Sequence, residues 1–171
     1  MAVLILYPEG RAAMLRNWSH RICVQLQTFT DWNLSRCHCL ANIVCAAIAA
    51  RSVKLDDLAT NIPGKAKFAS KTRRLQYFFC DFDLDYSRIA LLVVSILGTL
   101  LDKQWLLAMD RTNWERRGNQ VNLLVLAVCM GDVAIPLFWR DLRHKGNSNS
   151  RQRIALIGRF IKVFGKDRIR A

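Results

Sequence analysis

The sequence predicts an α+β chain in two parts: a helical region over residues 1–100 and an α/β region over residues 101–171. Three observations lead there. Up to about Leu100, apolar residues recur at the three- and four-residue spacing of amphipathic helices. From about Lys103 that spacing gives way to short runs separated by turn signals, among them the near-continuous apolar run "VNLLVLAVCM". Such a run suits a strand covered on both faces. From Arg151 to Phe164 the helical spacing returns.

In the first part, Met14, Leu15, Trp18, Ile22 and Leu26 form a helical stripe within Arg11–Phe29. Asn33 or Asp31 is placed to cap a second helix carrying Cys37, Leu40, Ile43, Val44, Ala47 and Ile48. Ser52 begins a short helix running through Leu58, and "NIPGK" breaks it. A fourth helix spans roughly Lys67–Phe79, and a strongly apolar fifth spans Ser87–Leu100, with Gly98 at its fraying end. The short helix, the Pro-Gly turn and the basic helix have the outline of a helix-turn-helix. Lys65, Lys67, Lys71, Arg73 and Arg74 follow one another there with no intervening acid, so phosphate contact is expected. A solvated basic face on an ordinary helical bundle is the competing reading.

In the second part, "DKQWLLAMD" is a strand candidate ending at Asp110, and "RTNWERRGNQ" is turn-like. The apolar run Val121–Met130 is the second strand, Gly131-Asp132 a hairpin connection, and "VAIPLFWRDL" the third. Pro136 cannot donate to a ladder, which puts that strand at a sheet edge. After the loop "RHKGNSNS", Asn149 or Ser150 caps a helix with Ile154, Ile157, Ile161 and Phe164 on one face, closed by Gly165. "KDRIRA" then begins another strand. The order β-β-β-α-(β) is the opening of a ribonuclease-H-like fold with sheet order 3-2-1-4-5, here expected to be incomplete.

Charge points to the partner. Lys and Arg number 26 against 13 acids, a net +13, which favours a polyanion such as nucleic acid. Ten basic residues against two acids fall between Trp139 and Ala171, including Arg140, Arg143, Lys145, Arg151 and Arg153. The six cysteines lie mostly in apolar segments and are expected to be reduced, and no signal peptide is recognised at the start. The uncharged apolar run Ile89–Leu101 is too short to span a bilayer. His20, Cys23 and the run Cys37-His38-Cys39 suggest zinc at first sight. Residues 37, 38 and 39 point in different directions on a helix, however, and no C-x₂-C pair exists. Buried thiols are the preferred reading.

An aspartate leaving the first strand of such a sheet points into the crevice outside the strand ends, where phosphoryl transfer places carboxylates around Mg²⁺. The words around Asp110, "MDRTNW", then "GDVAIPLFW" and "KGNSNSRQRIALIGRFIKVFG", together closely resemble the bacterial DDE transposases of the "insertion sequence four" family. The resemblance is strong from about Leu107 onward and weaker over the helical part. It implies transposition, with Mg²⁺- or Mn²⁺-dependent hydrolysis at transposon ends and strand transfer into target DNA. It makes Asp110 the first metal-binding acid of the triad, with Arg111, Thr112, Asn113 and Trp114 as the signature around it. Asn113 would hydrogen-bond near the metal or scissile phosphate, and Arg111 would contact DNA, or both would brace the turn. It further implies a cytoplasmic, nucleoid-associated protein with DNA as partner, no small-molecule substrate, and self-association or pairing with a full-length transposase.

The chain departs from the family pattern after the fourth strand begins. No "DREF"-like word and no Tyr–Arg–Glu signature is present. Glu9 is remote, Glu115 lies in the same turn-like stretch as Asp110, and Asp141 and Asp167 come too early. The expectation is the N-terminal portion of a transposase. Alone it would bind DNA rather than cut it, with the apolar side chains of Trp105, Leu106 and Leu107 exposed on an open edge.

Overall fold

A computed structural model describes residues 8–98, 104–116, 118–144 and 146–170. The architecture is α+β: a helical N-terminal region, then a three-stranded antiparallel sheet with further helices. The chain divides into two compact units between Leu84 and Asp85. That is earlier than the expected boundary at residue 100, and it assigns the fifth helix to the sheet.

Among its described residues, the first unit holds four helices: α1 (Pro8–Phe29), α2 (Leu34–Ala50), α3 (Leu55–Asn61) and α4 (Phe68–Asp81). Asn33, rather than Asp31, caps α2, its side chain accepting from the Arg36 amide at 2.9 Å. Ser52 does not cap α3, since Lys54 holds that position. Its hydroxyl instead donates to Asp57 at 2.6 Å and accepts from the Lys54 amide, tethering the first turn from outside. The predicted stripe on α1 is only half right. Leu15, Ser19, Cys23 and Leu26 are buried, whereas Trp18 is exposed. Ser19 earns its burial by donating to Asn42 of α2 at 2.8 Å. On α2 the buried set is Cys37, Ala41, Ile43, Cys45 and Ala46, and the expected Val44 and Ile48 face outward. Ile43, Ala46, Leu58, Ile62, Leu75 and Phe78 form the core shared by α2, α3 and α4.

The second unit runs α5 (Tyr86–Leu97), β1 (Leu106–Arg116), β2 (Asn119–Met130), β3 (Val133–Asp141) and α6 (Ser150–Phe164), then a single 3-10 turn at Lys166–Arg168. The sheet order is β1-β2-β3, all antiparallel. The Gly131-Asp132 connection forms as expected, with Gly131 at φ 57. Asp132 is not among the residues with positive φ, so the turn demands glycine only at its first central position. Pro136 does sit on an edge strand, and the β2–β3 register slips between Leu126 and Ala127. The slip leaves Leu137 without a partner, so Leu137 and Phe138 are consecutive yet both join the core.

One face of the sheet, carrying Leu124, Leu126, Val128 and Phe138, is buried together with Ala90 of α5 and Leu156 and Phe160 of α6. The predicted buried face of α6 is therefore corrected. Ile154 and Ile161 are exposed, and Leu156, Phe160, Val163 and Phe164 turn inward. Asn149 caps α6 with a full capping box, accepting from the Gln152 amide while the Gln152 side chain accepts from the Asn149 amide, each at 2.9 Å.

The last segment touches the free edge of β1. Trp105 and Ile169 form a parallel bridge, with the Trp105 amide donating to the Arg168 carbonyl at 2.6 Å and the Arg170 amide donating to the Trp105 carbonyl at 3.0 Å. Trp105 is buried against Phe160 and Phe164 rather than exposed, which corrects the expectation for that side chain. Leu106 is exposed as expected.

Candidate functional site

The largest departure from the sequence reading concerns Asp110. It does not end β1. The strand continues through "RTNWER" to Arg116, paired residue for residue with β2, and Asp110 stands in its middle opposite Val125. The turn lies beyond, before Asn119. Polar residues joined the strand because their backbone groups found partners on β2, which periodicity does not register.

Alternation along β1 sorts the signature residues onto two faces. Asp110, Thr112 and Trp114 share the face opposite the helices, with Val125, Pro136 and Trp139 as neighbours around a cavity of ≈ 440 Å³. Arg111 and Asn113 share the core side, beside Leu124 and Asn122. Asp110 is exposed, and its Oδ1 accepts from the Arg111 amide at 2.6 Å. Trp114 is 58% exposed and Thr112 is half-buried, its hydroxyl lacking a hydrogen-bond partner.

Arg111 is held toward the loop before α6, its guanidinium donating to the Gly146 carbonyl. Asn122, buried on β2, reaches the same loop, donating from Nδ2 to the carbonyls of His144 at 2.7 Å and Gly146 at 3.1 Å. Both partners are carbonyl oxygens, so the amide nitrogen must face them, and Oδ1 is left buried without a partner. Arg153 of α6 donates from Nε to the Ser148 hydroxyl at 2.9 Å. These contacts enclose a pocket of ≈ 400 Å³ lined by Asp110, Arg111, Leu124, Asn147, Ser148 and Arg153, with Met109. Asn122 and Ser148 gave no sequence signal of their role. Only the Asn149–Gln152 spacing, the mark of a capping box, hinted that the loop would be pinned at its end.

The remaining basic candidates fall in separate units. In the first, Lys65, Lys67, Arg73 and Arg74 are exposed, whereas the Lys71 ammonium donates to the Ile62 carbonyl at 2.6 Å and so closes the turn before α4. Arg73 lies over Tyr77 and donates to its hydroxyl at 3.1 Å. In the second, Arg140, Arg143, Arg151 and Arg153 are exposed, with Arg143 at φ 52 and its amide bound to Asp141. Lys145 lies outside the described residues.

Among the described residues, Asp110 has no companion carboxylate within reach of one cation. Among the described residues, no group of three or more His, Cys, Asp or Glu is placed to hold a metal ion. Glu115 belongs to the opposite face of β1 by alternation. Asp141 shares Asp110's face but is two strands away, about 10 Å by strand spacing. One Mg²⁺, bound at about 2.1 Å, does not bridge that distance. The described residues thus do not by themselves make a site for a resident metal. The same holds for the cysteines near His20 and His38. Both histidines are exposed, and the buried Cys23 thiol has its pKa pushed up by desolvation and by the neighbouring Cys37. Burial likewise pushes up Cys45, and Cys39 against a smaller lowering by Arg74.

No single helix among the described residues is long and apolar enough to cross a membrane. Comparison with protein-family models, curated proteins and solved structures finds no match.

Proposed function

We propose that this chain is a member of the DDE transposases of the "insertion sequence four" kind, with a ribonuclease-H-like arrangement in its second unit and DNA as its partner. One observation carries the reading: the segment after α6 returns to the outer edge of β1, in parallel, at Trp105–Ile169. A ribonuclease-H-like sheet requires that placement of its fourth strand, giving the order 3-2-1-4 with Asp110 on strand one. The antiparallel β1–β2–β3 meander followed by a helix supports the same reading, as do the signature words and the charge of +13.

The geometry favours DNA binding over cleavage for this polypeptide. Asp110 would serve as the first metal carboxylate of a site completed by acids from elsewhere; by itself it holds a hard cation weakly. A catalytically silent protein that occupies transposon ends, or pairs with a complete enzyme and inhibits it, is the second form of this reading. That no second carboxylate stands beside Asp110 among the described residues supports it.

The test combines binding and nicking. The 171-residue chain, mixed with duplex DNA, is expected to bind with an affinity that falls steeply as salt rises, because phosphate neutralisation releases counterions. It is expected not to nick supercoiled DNA with Mg²⁺ or Mn²⁺. Absence of duplex binding at 50 mM salt, about the lower end of the range where such contacts dominate, overturns the DNA reading. Metal-dependent nicking that disappears in Asp110→Ala overturns the reading of a silent site.

A further inference from the structure

We propose that the pocket between β1, the loop before α6 and α6 itself is a seat for one backbone phosphodiester of DNA, gripped jointly by Arg111 and Arg153. The proposal rests on the DNA-binding reading above and names the atoms that would serve it.

Both arginines line the pocket, and each guanidinium is anchored by one protein hydrogen bond, Arg111 to the Gly146 carbonyl and Arg153 to the Ser148 hydroxyl. Among the described residues, no carboxylate is ion-paired with either. Each therefore keeps further N–H donors in a fixed fork, the geometry that suits a tetrahedral oxyanion. The two arginines come from unlike elements, a strand and a helix, and Asn122 steadies the loop that anchors both from a buried position. Two cations side by side in one cavity repel each other unless an anion sits between them.

A DNA phosphodiester offers two anionic oxygens to the two forks. A free phosphate lacks the neighbouring linkages that a strand presents to the exposed Arg140, Arg143 and Arg151 of the same unit. Asp110 borders the pocket as well. A seated diester also brings the sugar-phosphate chain alongside Asp110. The pocket then sets which linkage of a bound strand lies at that carboxylate.

The experiment measures anisotropy of a labelled duplex with the 171-residue chain across a salt series, for wild type, Arg111→Gln, Arg153→Gln and the double variant. Far-UV circular dichroism checks folding. The double variant is expected to bind more weakly on every duplex sequence and to lose about 0.9 from the log–log salt slope, the share of one phosphate. A loss of about 1.8, two phosphates' worth, overturns the shared seat; an unchanged slope with intact fold overturns the pocket as a DNA contact. Failure of the wild type to bind overturns the function reading itself, a distinct result. Arg111 also holds the loop, so if its variants misfold, Arg153→Gln decides alone: several-fold weaker binding supports the seat, and unchanged affinity refutes it. In a calorimetric arm, inorganic phosphate at constant ionic strength is expected to show no saturable binding. Saturable binding that Arg153→Gln abolishes would assign the pocket to a free phosphate and overturn the DNA proposal.

Discussion

Replacing Trp105 by alanine probes the contact on which the strand order depends. The side chain is 5% exposed and lies edge-on to Phe160 and Phe164, with ring centroids 5.9 and 5.3 Å away. An aromatic side chain of this class buries 150–250 Å², so at about 25 cal/mol per Å² its transfer contributes about 4–6 kcal/mol. A compact denatured state already hides a tenth to two-fifths of that area, which lowers the figure to about 2–5 kcal/mol. The two aromatic contacts and the cavity left behind act in the opposite direction, so a loss of about 4–5 kcal/mol is expected for Trp105→Ala. Trp105→Phe keeps one ring in place and should cost about 1–2 kcal/mol. Against a typical stability of about 5–15 kcal/mol, the alanine variant sits near the limit of folding. Urea unfolding followed by far-UV circular dichroism measures both variants. Hydrogen exchange at Arg170, whose amide donates to the Trp105 carbonyl, reports whether the segment after α6 leaves the β1 edge. An alanine variant that loses less than about 1.5 kcal/mol, a surface-like cost, and keeps Arg170 protected would refute the claim that this ring holds the segment in place.

Further outcomes follow from one buried amide and from the thiols. Asn122→Asp places a carboxylate against the His144 and Gly146 carbonyls, where only donors fit; the expected cost at pH 7 is about 3 kcal/mol, tempered by Arg111 nearby. That new carboxyl would have a folded-state pKa above its unfolded one, so the deficit grows as pH rises through the unfolded value and shrinks on acidification; denaturation midpoints equal to wild type at pH 7 would refute the pinning role. In the first unit, Cys23, Cys39 and Cys45 have pKa values raised above the ordinary 9.0. Below that value both states hold the proton and nothing changes; above it the unfolded chain releases protons first, so stability falls as pH rises past 9. At pH 8 a thiol-alkylating reagent should label the exposed Cys80 first and leave buried Cys23 and Cys45 until unfolding. Equal labelling of all three by mass spectrometry would contradict that burial.

Much of the local structure was legible in the sequence because its causes are local. Asn149 and Gly165 bracket α6 through backbone groups a few residues away, and Pro136 announced an edge strand by lacking a donor. The apolar run in β2 could be read for the same reason, since its own composition shows that it is covered. The candidate site was legible only in part. Asp110 and Arg111 could be picked out as residues, but not the two faces they occupy, nor the loop that brings Ser148 and Arg153 beside them. Those depend on strand register, which no single segment contains.

The sequence by itself determined roughly where the helices lie, that a hairpin-built sheet follows a helical region, and that the chain is strongly basic. Only the tertiary structure decided that β1 runs through Asp110 to Arg116, because the partners for those backbone groups lie on β2. It also decided that α5 joins the sheet and that α6 buries Leu156 and Phe160 instead of Ile154 and Ile161. A helix with apolar residues on more than one side takes its inward face from the surface it meets, and that surface is built by residues distant in the chain.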